Sequence, residues 1–316
     1  MFKKLFLPVG ILLAVIWSLT APAAGLFCKE YIGTPAMIIA IFLVSGMQMK
    51  LNELKFDRKF IFGIIFGSLF TLAGLSFCGL YAMKLFAWDS FLLAGLLVML
   101  AAPPTLSSGI VMTKEAEGNM MFSIAITVFF NLIAIFTLPL VLSFLLKAAK
   151  TGSVDSLKMF KQLVYTVMIP LFIGYLIKRV VFRNWYHKLI DYIPLVATIM
   201  LSLAFFSAAR ESILAIPLVT IFMVLLAGLF FHLFSMAALW LISKILRMNI
   251  SDTKAMVLCG ASKSATMALA MVAIAGLGTS AAAVPCLLFY ALQLFLDALL
   301  ASYSRRWHDP VPEPEK

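Results

Sequence analysis

The residues of this chain that could do chemistry lie inside apolar runs. Lys263 sits within LCGASKSATMALAMVAIAG (Leu258–Gly276), between Ser262 and Ser264 and four residues after Cys259. An ammonium there is either a built-in cation or a partner for an anion. APPTLSSG (Ala102–Gly109) places Ser107 and Ser108 directly after two prolines. Ser123, Thr127 and Asn131 recur at i, i+4 and i+8, one face of a helix. With Ser107 and Ser108 they describe an oxygen-lined site for a cation or substrate, although small hydroxyl residues at this spacing also serve helix packing. Four further polar residues complete the set: Gln48 near a span end, His232 in mid-span, and Gln293 and Asp297 on one helix face. His232 reads as a structural donor or a proton relay. Asp297 is the one carboxylate clearly inside a span, with Lys263 and Arg305 as its candidate partners.

No Ser–His–Asp set, HExxH sequence or paired carboxylates accompany these residues, and His187 and His308 fall at or beyond span ends. Enzyme chemistry is therefore not expected, and no catalytic residue or cofactor is assigned. Whether Na⁺ or H⁺ drives the protein stays open. Cys28, Cys78, Cys259 and Cys286 match no metal or CxxC spacing and read as small buried hydrophobes.

Such residues need a membrane scaffold to hold them. Of 316 residues, 63% are hydrophobic and 12% charged, with a mean hydropathy of +1.06. A soluble domain is about 25% charged, so much of this apolar surface must face lipid. Long apolar runs, rather than short alternating ones, indicate helices and not a transmembrane barrel. The net charge of +11 is spread over short loops without clustered aromatics, which argues against nucleic-acid binding.

Windows bounded by charge, Pro and Gly predict ten spans near 5–22, 34–50, 59–83, 89–113, 118–146, 158–181, 190–209, 213–246, 252–277 and 279–303. Lys3, Lys4 and the apolar run after them mimic a secretory signal, but the run is long enough to span, and it is expected to be retained. Seventeen Lys and Arg fall on the N-terminal side of the spans and seven on the other. The positive-inside rule then puts both termini in the cytoplasm, as expected for a bacterial cytoplasmic membrane.

The spans divide five and five. The fourth is broken by Pro103 and Pro104, the ninth by CGASKS (Cys259–Ser264). Pro104 and Ser262 are 158 residues apart, close to the 153 that separate the starts of the two halves. Five spans per half make the second half inverted. Matched broken helices point to the binding site of a secondary transporter, because irregular backbone at that depth must line a cavity or be buried in protein. The expected fold is thus an all-α polytopic membrane protein of two inverted five-helix repeats, residues 1–150 and 151–304, with a short cytoplasmic tail, 305–316. Lys263 lies nine residues beyond Lys254, about 13 Å along a helix, too deep for its stem to reach the interface. Carbonyls at the C-terminal end of a half-helix would hold it as they hold a monovalent ion.

Three stretches resemble the bile acid:sodium symporter superfamily: SGMQMKLNEL (Ser45–Leu54), PPTLSSGIVMTKEAEGN (Pro103–Asn119) continuing into NLIAIFTLPLVL (Asn131–Leu142), and CGASKS. The similarity is strongest to the lysine-containing branch, whose ninth helix carries a Gly-Ser-Lys-Ser-like motif. The resemblance implies a core domain with two crossing broken helices, a panel domain, and alternating access between them.

Sodium-coupled relatives bind two sodium ions at the crossing. Of the side chains this implies, Ser123 and Thr127 match, as a residual sodium site. The Ser-Asn pair of the fourth helix falls on Gly109 and Ile110, the carboxylate of the ninth on Cys259, and the neighbouring glutamine on Lys263. Opposite charge is lost and like charge gained, a poor exchange for Na⁺. The expectation is a transporter of a small organic anion in which Lys263 replaces one sodium ion. Two alternatives stand beside it: a sodium-coupled symporter, and a regulatory membrane protein of calcium homeostasis, a role linked to members of the lysine branch. Oligomeric state is not legible.

Overall fold

A computed structural model describes residues 2–48, 58–83, 89–105, 108–151, 155–180, 190, 192–278 and 280–307. Among the described residues the chain is helical without strands. The helices are α1 (Phe2–Thr20), α2 (Ala23–Phe27), α3 (Thr34–Gln48), α4 (Arg58–Leu69), α5 (Leu75–Met83), α6 (Ser90–Ala101), α7 (Ser108–Glu115) and α8 (Met120–Ala148). After them come α9 (Ser156–Leu163), α10 (Ile169–Val180), α11 (Tyr192–Ala208), α12 (Arg210–Leu214), α13 (Leu218–Ile245), α14 (Ile250–Gly260), α15 (Ala265–Ile274) and α16 (Ala283–Ser304).

Six helical stretches among the described residues are long and apolar enough to cross a membrane: Arg58–Ala82, Met120–Ala148, Ser156–Arg179, Leu218–Ile245, Ile250–Ile274 and Ala283–Ser304. Val9–Thr20 joined to Ala23–Ile32 makes a seventh, bent by 105°. Thr34–Met47, Ser90–Ala101 and Tyr192–Ala208 are apolar but shorter. The protein is an integral membrane protein.

Two groups of helices can be told apart by what they touch. In the first, α3 packs along α10 and α11, and α1 along α11. A Cβ on Gly46 would run into the Leu171 carbonyl, and one on Gly174 into the Leu43 carbonyl. Two glycines facing each other's helix let α3 and α10 approach backbone to backbone. In the second group, α6 packs on α5 and α16, while α14 packs on α13, α8 and α7. The groups meet where α8 touches α9 and where α15 touches α3 and α11.

Local sequence explains the boundaries. Asp89 caps α6 by accepting from Phe91 N and Leu92 N, Asn119 caps α8, and Asn249 caps α14. Pro103 and Pro104 end α6 because they carry no N–H to donate. Ser264 caps α15, accepting from Met267 N at 3.2 Å, so one break residue starts the next half-helix. Pro217 splits the predicted 213–246 span into α12 and α13, and Pro22 turns the chain into α2, a helix the hydropathy profile missed. Three π-helical turns, Cys28–Ile32, Phe70–Gly74 and Val164–Met168, were equally invisible to that profile.

Candidate functional site

The two breaks meet in the second helix group. Ser264 N donates to Pro103 O at 2.9 Å, joining one break to the other. Asn131, on α8, donates to Pro104 O at 3.0 Å and to Thr127 O at 2.8 Å. Its amide is thus committed to holding the first break, a role that a cation-site reading from spacing alone does not anticipate.

Lys263 is fully buried, 0% exposed, and its ammonium is saturated. Nζ donates to Thr71 O at 2.7 Å, Leu100 O at 2.7 Å and Ala102 O at 3.0 Å. An ammonium has three donors and no acceptor, so these three bonds leave none for a substrate carboxylate. The anion-partner alternative for Lys263 does not fit this geometry. Leu100 and Ala102 lie at the C-terminal end of α6, where carbonyls lack helical partners and carry the negative end of the dipole. Thr71 lies in the π-helical turn Phe70–Gly74, where the regular ladder is interrupted. The carbonyls expected from Lys263's own half-helix come instead from the other broken helix and from the helix beside it.

Backbone groups of Lys263 are held as well. Lys263 N donates to Gln293 Oε1 at 2.8 Å, and Gln293 Nε2 donates to Lys263 O at 2.7 Å. Gln293 therefore acts as a two-point clamp on the second break.

Beside Lys263 lies a buried cluster of hydroxyls and one thiol. Cys259 Sγ is 3.1 Å from Thr127 Oγ1 and 3.4 Å from Ser123 O. Ser123 Oγ is 3.1 Å from Thr113 Oγ1, which donates to Gly109 O at 2.8 Å. Ser262 donates to Cys259 O at 2.9 Å, and Thr105 bridges Ser108 and Ser262. The structure thus gathers Cys259, Ser262, Ser108, Ser123 and Thr127 as spacing suggested, and adds Thr105 and Thr113. The cluster holds no carboxylate, and no group of three or more metal-ligating side chains occurs among the described residues. Its oxygens suit a weakly held hard cation at most.

Gly109 explains part of this composition. A Cβ at Gly109 would stand 3.0 Å from Cys259 Cα, Cys259 Sγ and Ser262 Oγ. The breaks cross so closely that a side chain here would have to push the second one away.

Asp297 pairs with neither sequence-level candidate. Its Oδ1 lies 3.0 Å from His232 Nε2, both residues being buried at 1% and 0% exposure. Arg305 instead meets Glu117 at 3.3 Å on exposed surface. Ser107 and the side chain of Gln48 lie outside the described residues, as does the tail from 308 onward.

A cavity of about 300 Å³ opens between the two helix groups, lined by Lys29, Thr34, Gln162, Thr166, Phe205 and Ile274 among others. It lies at the end of the molecule where α15 terminates, and mixes apolar wall with one amine, one amide and two hydroxyls.

A profile of the SBF-like CPA transporter family matches residues 4–306. The chain is 27% identical over 327 residues to the sodium/bile acid cotransporter 7-A of Xenopus laevis, covering 96% of this chain and 93% of that protein. It is 24% identical to the sodium/bile acid cotransporter 7 of Mus musculus, covering 96% and 94%. Against a probable chloroplastic sodium/metabolite cotransporter of Oryza sativa subsp. indica, identity is 25% over 95% of this chain and 75% of the relative.

Proposed function

Starting from the fact that the chain belongs to the SBF-like CPA transporter family, within the bile acid:sodium symporter superfamily, we propose that this membrane transporter carries a small organic anion by alternating access, with Lys263 standing permanently where relatives bind a sodium ion. The observation that carries this reading is the cage of Thr71, Leu100 and Ala102 carbonyls around the Lys263 ammonium. A monovalent cation asks for such a set of oxygens, and here the cation is covalently part of the chain. It supports reading the protein as a member of the lysine-containing branch.

The architecture that goes with this reading is ten spans in two inverted repeats, 1–150 and 151–304. Paired contacts support it: α3 on α10 answers α11 on α1, α6 on α16 answers α14 on α8, and α5 on α6 answers α13 on α14. The three cage carbonyls all belong to the first repeat and the ammonium to the second, so the cage ties the repeats together. The group of α1, α3, α10 and α11 is then the panel, the remainder the core, and the cavity between them the path of the substrate. Lys29 would supply the positive charge toward which an anion is drawn. Charge bias in the loops orients both termini to the cytoplasm of a bacterial cell.

Purified protein in proteoliposomes, offered labelled mono- and dicarboxylates and a steroid sulfate with and without a Na⁺ gradient, tests this. Uptake of one anion class with little Na⁺ dependence is the expected result. Steep Na⁺ dependence would restore the sodium-coupled alternative, with Ser123 and Thr127 as its ligands. No uptake and an unchanged melting profile across the panel would favour the regulatory alternative.

A further inference from the structure

Two ionisable side chains deep in the second helix group take no part in the Lys263 cage or the hydroxyl cluster. His232 on α13 and Asp297 on α16 touch through Nε2 and Oδ1 at 3.0 Å, and both are buried. The other two polar atoms of the pair, His232 Nδ1 and Asp297 Oδ2, are buried and without a hydrogen-bond partner among the described residues. A structural histidine–carboxylate contact normally satisfies its outer atoms too, because a buried acceptor left bare is costly.

We propose that His232 and Asp297 together form a proton-binding site. With Nε2–H donated to Oδ1, the pair carries one negative charge and exposes two bare acceptors, the Nδ1 lone pair and Oδ2, to a medium that solvates neither. One proton from hydronium, added at either atom, brings the pair from −1 to 0: one O–H bond of the hydronium breaks, leaving water, and one N–H or O–H bond forms on the pair. Because the groups are in contact, the proton belongs to the pair and not to one residue.

Among the described residues, nothing around the pair supplies a competing counter-charge at contact distance. Tyr290 on α16 and Cys259 on α14 are buried hydroxyl and thiol groups. Lys263, beyond Gln293, is engaged by its three carbonyls. α6 and α15 bring no ionisable side chain. On the other packed elements Arg58, Lys59, Cys78, Tyr81 and Lys114 are exposed, and Glu115, Asp252 and Tyr192 are partly exposed. Lys254 is buried but spends its ammonium on Ala116 O.

Geometry links this site to the breaks. Phe289, Gln293 and Asp297 follow one another at i, i+4 and i+8 along α16. The His232 ring meets Phe289 edge-on at 5.8 Å and Asp297 by hydrogen bond, so it straddles Gln293. Gln293 clamps both backbone groups of Lys263. Charging and discharging the pair therefore acts on the helical segment that fixes the second break. The use of that proton to drive transport rests on the transporter reading above; its binding does not.

Infrared difference spectra of full-length protein in lipid, carrying ¹³C-labelled Asp and ¹⁵N-labelled His, are recorded while pH is stepped between about 5 and 9, the range that brackets histidine titration. A carboxyl or imidazole band that titrates in the native protein and is lost in Asp297→Asn is expected, with its midpoint displaced in His232→Gln. A native pair whose bands stay constant over that range overturns the proposal without reference to any variant. Proteoliposome uptake of the best-transported carboxylate, in the absence of Na⁺, supplies the second readout. An inward proton gradient should raise uptake several-fold in the native protein and not in Asp297→Asn; an equal rise in both overturns the coupling. Titration without uptake of any anion would leave the proton site standing while sinking the transporter reading.

Discussion

Gln293 holds Lys263 by its peptide groups and leaves its ammonium untouched: the carboxamide accepts from Lys263 N at 2.8 Å and donates to Lys263 O at 2.7 Å. The ammonium meanwhile reaches the other half of the chain. One residue is thus fixed at its backbone by α16 and at its ammonium by the Phe70–Gly74 turn and the end of α6, so the second break is held from outside its own helix.

Replacing Gln293 by Leu should leave Lys263 N and O unpaired in the core, at about 1–3 kcal/mol for each group. A large fall in thermal stability is expected, with Gln293→Glu milder than Gln293→Leu because one acceptor remains. Equal melting temperatures for Gln293→Leu and the native protein would remove the clamp from the account.

Lys263→Ala empties a ready-made set of three carbonyls. Leaving the three buried carbonyls unpaired costs about 1–3 kcal/mol each, and Na⁺ should recover part of it, whereas the native protein should be indifferent. Unfolding temperatures in NaCl against N-methylglucamine chloride at equal ionic strength measure the difference. No Na⁺-specific recovery would argue against ammonium and sodium being interchangeable here.

Gly109→Ala puts a methyl 3.0 Å from Cys259 Cα and Ser262 Oγ. Overpacking of this kind costs roughly 1–3 kcal/mol. Pairing it with Cys259→Gly should not relieve the clash with Cα, so the double variant should stay at least as unstable as Gly109→Ala.

Lys29→Gln should lower the apparent affinity for a transported anion several-fold while leaving thermal stability near the native value, since Lys29 is partly exposed at the cavity. Lys29→Arg should retain uptake. Uptake unchanged in Lys29→Gln would move anion selection elsewhere.

The breaks were legible in the chain because Pro-Pro and a lysine between serines leave marks that no unbroken span tolerates, and their 158-residue spacing exposed the pairing. Cys259, Ser262, Ser123 and Thr127 came together for the same reason: helical periodicity and the breaks both pointed inward. What Lys263 and Asp297 would touch was not legible. The partners of Lys263 are backbone carbonyls, which every residue has, and that of Asp297 is a histidine 65 positions away on another helix. Asn131 was assigned to the right face, but that its amide nitrogen holds the first break was not legible, since periodicity gives a face and says nothing of which atom an amide will engage. Thr105 and Thr113 went unnoticed because a single hydroxyl carries no signal until a second helix closes over it.

The π-helical turn at Phe70–Gly74 amounts to one surplus residue inside a span. Everything from Leu75 onward is rotated by about 100° relative to where an unbroken helix would have carried it. Deleting one residue there would re-register α5 without shortening any loop, and it would withdraw Thr71 O from Lys263. Tolerance to insertion and deletion, ordinarily a property of loops, is here set by the middle of a transmembrane helix, and a one-residue gap in a comparison of relatives at this position would mark a change in the cation cage.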